Sequence, residues 1–156
     1  MEYYIGVSIG LAVAIFAKLV GFDRGRSFYP TVLIVVAFYY PLFATLGASE
    51  TVLEIEVAIA LGFSLLAALG FKRSMWLVAA SIAGHGVFDL LRPSWIENPG
   101  VPLWWPGFCA SADLILGAWL AAFLWKETAA IRPAYGRASI ANTAPSRSRT
   151  VPDASV

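Results

Sequence analysis

Five long apolar segments, separated by short polar interruptions, make up the first 125 residues of this chain. Their hydrophobic positions do not alternate with polar ones at a strand period, and they do not leave a polar helical face. Each is apolar almost all round, as expected of helices surrounded by lipid. The pattern predicts helices over residues 3–20, 27–47, 51–71, 74–91 and 104–125. The fold class is therefore all-α, a polytopic membrane protein with five transmembrane helices in residues 1–125. From Lys126 the apolar pattern stops. Residues 126–156 are rich in Ser, Pro, Ala and Arg and are expected to form a disordered tail.

Local signals punctuate the segments. The first carries Gly6 and Gly10 with Ala14 on the same face, a small-residue spacing that lets helix backbones approach closely. Internal packing is the favoured reading and homodimerisation the sharper alternative. The stretch M-E-Y-Y lacks the basic region of a secretory signal and no small-residue cleavage site follows, so this helix is expected to stay in the membrane. In the second helix Pro30 suits a first turn, and Pro41, just after Tyr39 and Tyr40, is expected to kink the helix. Trp104 and Trp125 flank the fifth segment as two interfacial belts would.

Composition agrees with this reading. Of 156 residues, 59% are hydrophobic and only 13% are charged, with mean hydropathy +0.72. Soluble domains carry about a quarter charged residues. The net charge of +1 offers no basic field for nucleic acid. One cysteine precludes an internal disulfide framework.

Charge distribution gives an orientation. With five spans, the loops after helices one and three share a side with the tail. That side holds Lys18, Arg24, Arg26, Lys72, Arg73, Lys126 and four arginines of the tail, against Arg92 alone on the other. The positive-inside rule puts the N-terminus outside and the C-terminus in the cytoplasm. A multi-pass protein of the cell's inner membrane is the expectation, with the lipid bilayer as its first partner. A homo-oligomer or a membrane-complex partner remains open.

Against this apolar background the polar groups stand out. His85 and Asp89 are four apart on the fourth helix, and Cys109 and Asp113 four apart on the fifth, so each pair shares a helix face. The two helices are joined by a short Pro- and Trp-rich connection, which predicts antiparallel neighbours whose polar faces oppose one another. Glu54 and Glu56 lie in the outer third of the third helix. These groups fall within one slab, about 15 Å deep at ~1.5 Å per residue. Each charged side chain near a helix centre costs roughly 2.5–3.5 kcal/mol. Four carboxyl groups face one histidine and Arg92, so at least one carboxyl is expected to be neutral or compensated by a cation. Glu54 and Glu56 cannot share a face, and Glu54 is the one expected to point inward. Gly84 and Gly86 are expected to leave room around the imidazole for a helix, a water or a ligand.

The candidate cluster is thus His85, Asp89, Asp113, Glu54, Glu56, Cys109 and Arg92. Its nitrogen–oxygen set of His85, Asp89 and Asp113 suits zinc, manganese or iron, making a divalent metal the candidate cofactor. No H-E-x-x-H, C-x-x-C, phosphate loop or dinucleotide fingerprint is present, and a single histidine excludes bis-histidine haem. Binding or proton-linked transport of a cation or small ligand is the leading functional reading. The alternatives are a membrane-embedded enzyme using His85 and Asp89 on a lipid-soluble substrate, with Cys109 as a nucleophile if His85 lies beside it, and a structural subunit of a membrane complex.

The H-x-x-x-D of His85 and Asp89, followed by the P-x-W-W-P-x-x-C-x-x-x-D of Pro102 to Asp113, resembles a family of small bacterial integral membrane proteins of unknown function. That family's pattern is H-x-x-W-D-x-x-H-H, then V-P-x-W-Y-P-x-x-C-x-x-x-D. Here Phe88 replaces the tryptophan, and no histidine follows Asp89. If the family's extra histidines ligate a metal, this chain lacks them. The resemblance implies a small helical membrane protein and no stated activity.

Overall fold

The computed structural model describes residues 1–142, with side chains through residue 129. Five α-helices make up the fold: α1 (Glu2–Val20), α2 (Phe28–Ala44), α3 (Glu50–Arg73), α4 (Met75–Leu91) and α5 (Trp105–Asn142). Short 3-10 turns cover Phe22–Arg24 and Arg92–Ser94. No strand occurs among the described residues. Three helices are long and apolar enough to cross a membrane: Glu2–Val20, Glu50–Arg73 and Trp105–Ala129. α2 and α4 have 17 residues each, about 25 Å at ~1.5 Å per residue.

Local chemistry sets the boundaries. α1 stops where Gly21 adopts φ 85° and its N–H bonds the Ala17 carbonyl at 3.0 Å, a left-handed cap that glycine takes without strain. Ser49 caps α3, its hydroxyl accepting from the Val52 N–H at 3.3 Å. Lys72 and Arg73 close the same helix, complementing its dipole. α2 accommodates Pro41 internally and ends at Ala44, short of the expected residue 47. α5 continues beyond Trp125, where the apolar pattern had placed its end. It therefore overlaps residues 126–142 of the expected disordered tail, and residues 143–156 lie outside the described residues. Residues Met1–Leu124 form one compact unit.

Contacts within the first unit fix the helix directions. Gly70 of α3 meets Val78 of α4 near their junction, Phe63 packs on His85, and Glu56 reaches Arg92. α3 and α4 are therefore antiparallel. α4 and α5 are antiparallel as well: Gly117 lies against Ala79 and Ala83, and Gly86 against Ala110 and Asp113. α1 and α5 run parallel, with Gly107 against Glu2 and Tyr3, Gly6 against Phe108 and Ser111, and Gly10 against Ala112 and Ile115. A Cβ on Gly10 would sit 2.9 Å from the Ala112 carbonyl oxygen. The small-residue face of α1 is thus spent on packing inside the chain, the favoured sequence reading.

The interior is divided along its length. Toward the α3–α4 turn the core is apolar, built from Ala14, Leu33, Ala67, Val78, Ile82 and Leu120 with Tyr29. Toward the other end it is polar, holding Tyr40, Glu56, His85, Asp89, Arg92, Asn98 and Asp113.

Candidate functional site

The polar half of the core contains two adjoining assemblies. The first is built on α4 and α5. His85 Nδ1 lies 2.8 Å from Asp113 Oδ2 and 3.5 Å from Asp89 Oδ2. All three residues are at most 1% exposed. The i, i+4 spacing brings Asp89 to His85 along one helix face, while Asp113 arrives across the helix interface. Gly86 permits that crossing. A Cβ there would lie 2.8 Å from the Ala110 carbonyl oxygen and 3.1 Å from Asp113 Cβ. Any larger residue would hold α5 away from the imidazole.

Gly84 differs from the sequence expectation. It is exposed, and a Cβ there would meet nothing within 4 Å. One position from His85 turns a residue about 100° around the helix, so Gly84 and Gly86 cannot both clear the same space. The space beside Gly86 is occupied by α5. Rings enclose the imidazole instead: Phe63 stands edge-on at 4.7 Å between centroids, with Tyr40 at 6.3 Å and Phe88 at 6.4 Å.

The second assembly is an ion pair of Arg92 with Glu56. Arg92 Nη2 donates to Glu56 Oε1, and the guanidinium lies 4.2 Å from the Tyr40 ring centroid. Asn98 Nδ2 donates to the same Glu56 oxygen at 3.2 Å and to the Tyr40 carbonyl at 3.3 Å. The Gly100 N–H donates to Asn98 Oδ1 at 3.2 Å, closing a turn that orients the amide. Gly100 itself sits on the Phe43 carbonyl. The 3-10 turn at Arg92–Ser94 ends α4 and leaves Arg92 2% exposed among the largest buried side chains.

Glu56, and not Glu54, is the acidic residue of α3 that points inward. Glu54 is exposed. The reason is helical phase: Glu56 shares its face with Ala60, Phe63, Ala67 and Gly70 at offsets of 4, 7, 11 and 14, the face that meets α4. Of these, Ala60, Ala67 and Gly70 are buried. Arg92 likewise pairs with Glu56, although Asp89 is nearer to it in sequence. Tyr40 and Asn98 also belong to the site, beyond the residues that spacing alone points to. Asn98 stands in an N-P-G turn, a sequence signal for a bend that says nothing of what its amide will meet.

Cys109 is buried beside the first assembly, within electrostatic reach of Asp89. His85 Nδ1 is directed at the two aspartates. The aromatic turn divides by exposure. Trp95 and Trp104 point outward at 68% and 52%, whereas Trp105 packs against Tyr39 and Phe43 at 5.1 and 4.9 Å.

Six polar atoms of these assemblies lack a hydrogen-bond partner among the described residues: Tyr40 Oη, Glu56 Oε2, Asp89 Oδ1 and Oδ2, Asp113 Oδ1 and Arg92 Nε. Three of the six are aspartate oxygens around His85. A cavity of about 780 Å³ opens between α1, α2 and α5, and its lining includes Cys109 and Asp113. His85 and Asp89 do not line it. Searches of protein families, curated proteins and solved structures returned no match to this chain.

Proposed function

We propose that this chain is a five-span protein of the inner membrane, N-terminus outside, that binds a cation at His85, Asp89 and Asp113. A divalent metal or a proton would occupy that position in a cation-binding or proton-linked carrier. The observation that carries the reading is a charge imbalance confined to one place. Glu56 and Arg92 neutralise one another. His85 faces two carboxyl groups and can compensate one at most, and three of their four oxygens accept no well-formed hydrogen bond among the described residues, although Tyr40 and Cys109 also approach Asp89. Unpaired buried carboxylates cost several kcal/mol, so a bound cation or proton stabilises the folded chain.

Spacing supports a metal. The His85, Asp89 and Asp113 donor atoms lie within 4.8 Å of one another. Tetrahedral zinc, with bonds of about 2.0–2.1 Å, holds its ligands roughly 3.3 Å apart. The observed 2.8 and 3.5 Å separations bracket that value. Three protein ligands would leave one coordination position open, as in catalytic or transporting sites rather than closed structural ones. The motif that resembles a family of small bacterial membrane proteins contributes all three residues.

All five helices spanning is supported by the helix directions. The basic residues Lys18, Arg24, Arg26, Lys72 and Arg73 belong to one end of the bundle by chain order, and the buried polar groups to the other. Seventeen residues, the length of α2 and α4, is the lower limit for a span.

Equilibrium dialysis of the purified chain against Zn²⁺ and Mn²⁺, with elemental analysis, tests the metal. One ion per chain is expected, lost in His85→Ala and Asp89→Asn. Proton and metal uptake into reconstituted vesicles tests the carrier. Uptake unchanged in both Asp89→Asn and Asp113→Asn, together with no bound metal in the wild type, would refute cation binding here.

A further inference from the structure

We infer that the cavity between α1, α2 and α5 is a binding site for a membrane-soluble amphiphile, an apolar molecule ending in a hydroxyl or amine that donates to Asp113 Oδ1. Its walls are mainly apolar, with Val13 from α1, Val36 from α2, and Phe108 and Leu116 from α5; Glu2 and Trp105, whose Nε1 has no hydrogen-bond partner among the described residues, also line it. At about 780 Å³ it is within the ~300–1,000 Å³ range of small-molecule pockets. Its mouth is flanked by Ile5 and Val35, about half exposed on the outer surface of the helices. A ligand dissolved in the bilayer reaches it sideways, without crossing water.

The polar end of the ligand follows from what the deep wall offers. Asp113 is 1% exposed and lines the cavity. Its Oδ2 is committed to His85 at 2.8 Å, while Oδ1 has no partner. A buried carboxylate oxygen in an apolar wall discriminates in favour of donors and against both alkyl ends and anions. Ligands with a carboxylate or phosphate at that end are disfavoured by like charge, and a plain hydrocarbon leaves the oxygen unsatisfied. The donor would use Asp113 Oδ1, whereas the metal spacing was argued from Oδ2. The inference therefore rests on the Asp113 geometry and not on a metal being bound.

The full-length chain in phosphatidylcholine nanodiscs supplies the test. Trp104 and Trp105 line the cavity, so 11-bromoundecan-1-ol is expected to quench tryptophan fluorescence saturably, short of complete quenching. 1-Bromoundecane, matched in membrane mole fraction, should bind at least about tenfold more weakly, the ratio for losing one charge-assisted hydrogen bond. Asp113→Asn should reduce that ratio severalfold. Val13→Phe combined with Val36→Phe fills the walls without touching Asp113, and should abolish the saturable component while leaving Zn²⁺ and proton uptake as in the wild type. Equal quenching by the two probes would mean that a bilayer chain fills the groove without recognition, and would overturn the inference. So would quenching that never saturates, or a ratio unmoved by Asp113→Asn. Because the filled-cavity variant is read on both assays, loss of amphiphile binding and loss of cation binding are told apart.

Discussion

Replacing Arg92 by methionine isolates the strongest interaction in the polar half of the core. Arg92 and Glu56 are 2% and 1% exposed, and no water-facing route relieves either charge. The substitution leaves Glu56 with only the Asn98 amide on Oε1, at 3.2 Å, and nothing on Oε2. Breaking a buried pair by removing one partner costs about 3–5 kcal/mol. An unpaired charge at a helix centre costs roughly 2.5–3.5 kcal/mol on insertion scales, in agreement. Loss of the guanidinium over Tyr40 adds about 0.5–2 kcal/mol. Glu56→Gln keeps an amide oxygen for Arg92 and the Tyr40 contact, so about 2–3 kcal/mol is expected for it. The double variant Glu56→Met/Arg92→Met buries no charge and should cost less than Arg92→Met alone. The resulting coupling is at least ~2 kcal/mol. Equilibrium unfolding in mixed micelles, titrated with SDS and followed by far-UV circular dichroism, measures all four corners of the cycle. Glu54→Gln, on the exposed side of α3, is the control and should change stability by less than about 0.5 kcal/mol. Additive single effects, or a Glu54 effect as large as that of Glu56, would refute the pairing.

Two further outcomes follow from close helix approach. Gly86→Ala should lower cation affinity at least tenfold in dialysis, because it pushes the α5 backbone and Asp113 away from His85, whereas Gly84→Ala, facing open space, should leave it unchanged. Gly10→Leu should lower thermal stability by about 1–3 kcal/mol or more, the penalty for overpacking, with α1 displaced from α5. A reactive probe at an introduced Ile115→Cys would then label faster in the variant.

The sequence carried the helices and the gathering of polar groups at one end of the bundle, because both depend on local spacing. His85 and Asp89 must share a face at i, i+4, and a short connection must return α5 beside α4. What it did not carry depends on rotation about helix axes. Glu54 and Glu56 look equivalent as acidic residues in an apolar run. Only the small-residue stripe Ala60, Ala67 and Gly70 decides between them, and that stripe was readable. Gly84 and Gly86 look equivalent for the same reason, although successive directions on α4 differ by about 100° per residue. Arg92 pairs across helices with Glu56 instead of along its own with Asp89. Asn98 and the cavity required the fold itself. A turn residue gains a buried role only when a loop folds back over α2, and a void is a property of three helices and of none alone.

The parallel contact between α1 and α5 has a consequence for biogenesis. Gly10 and Ala112 are about a hundred residues apart in the chain, a delay of roughly 5–20 s at ~5–20 residues per second. Through that interval the glycine face of α1 stays bare, and for the last part of it, roughly 1–6 s at the same rate, His85 and Asp89 stand without Asp113. Both defects are repaired by one event, the arrival of the last helix. The nascent protein is thus recognisable to membrane quality control until synthesis reaches α5, and a truncation before Trp105 is expected to be degraded rather than accumulate as a four-helix species.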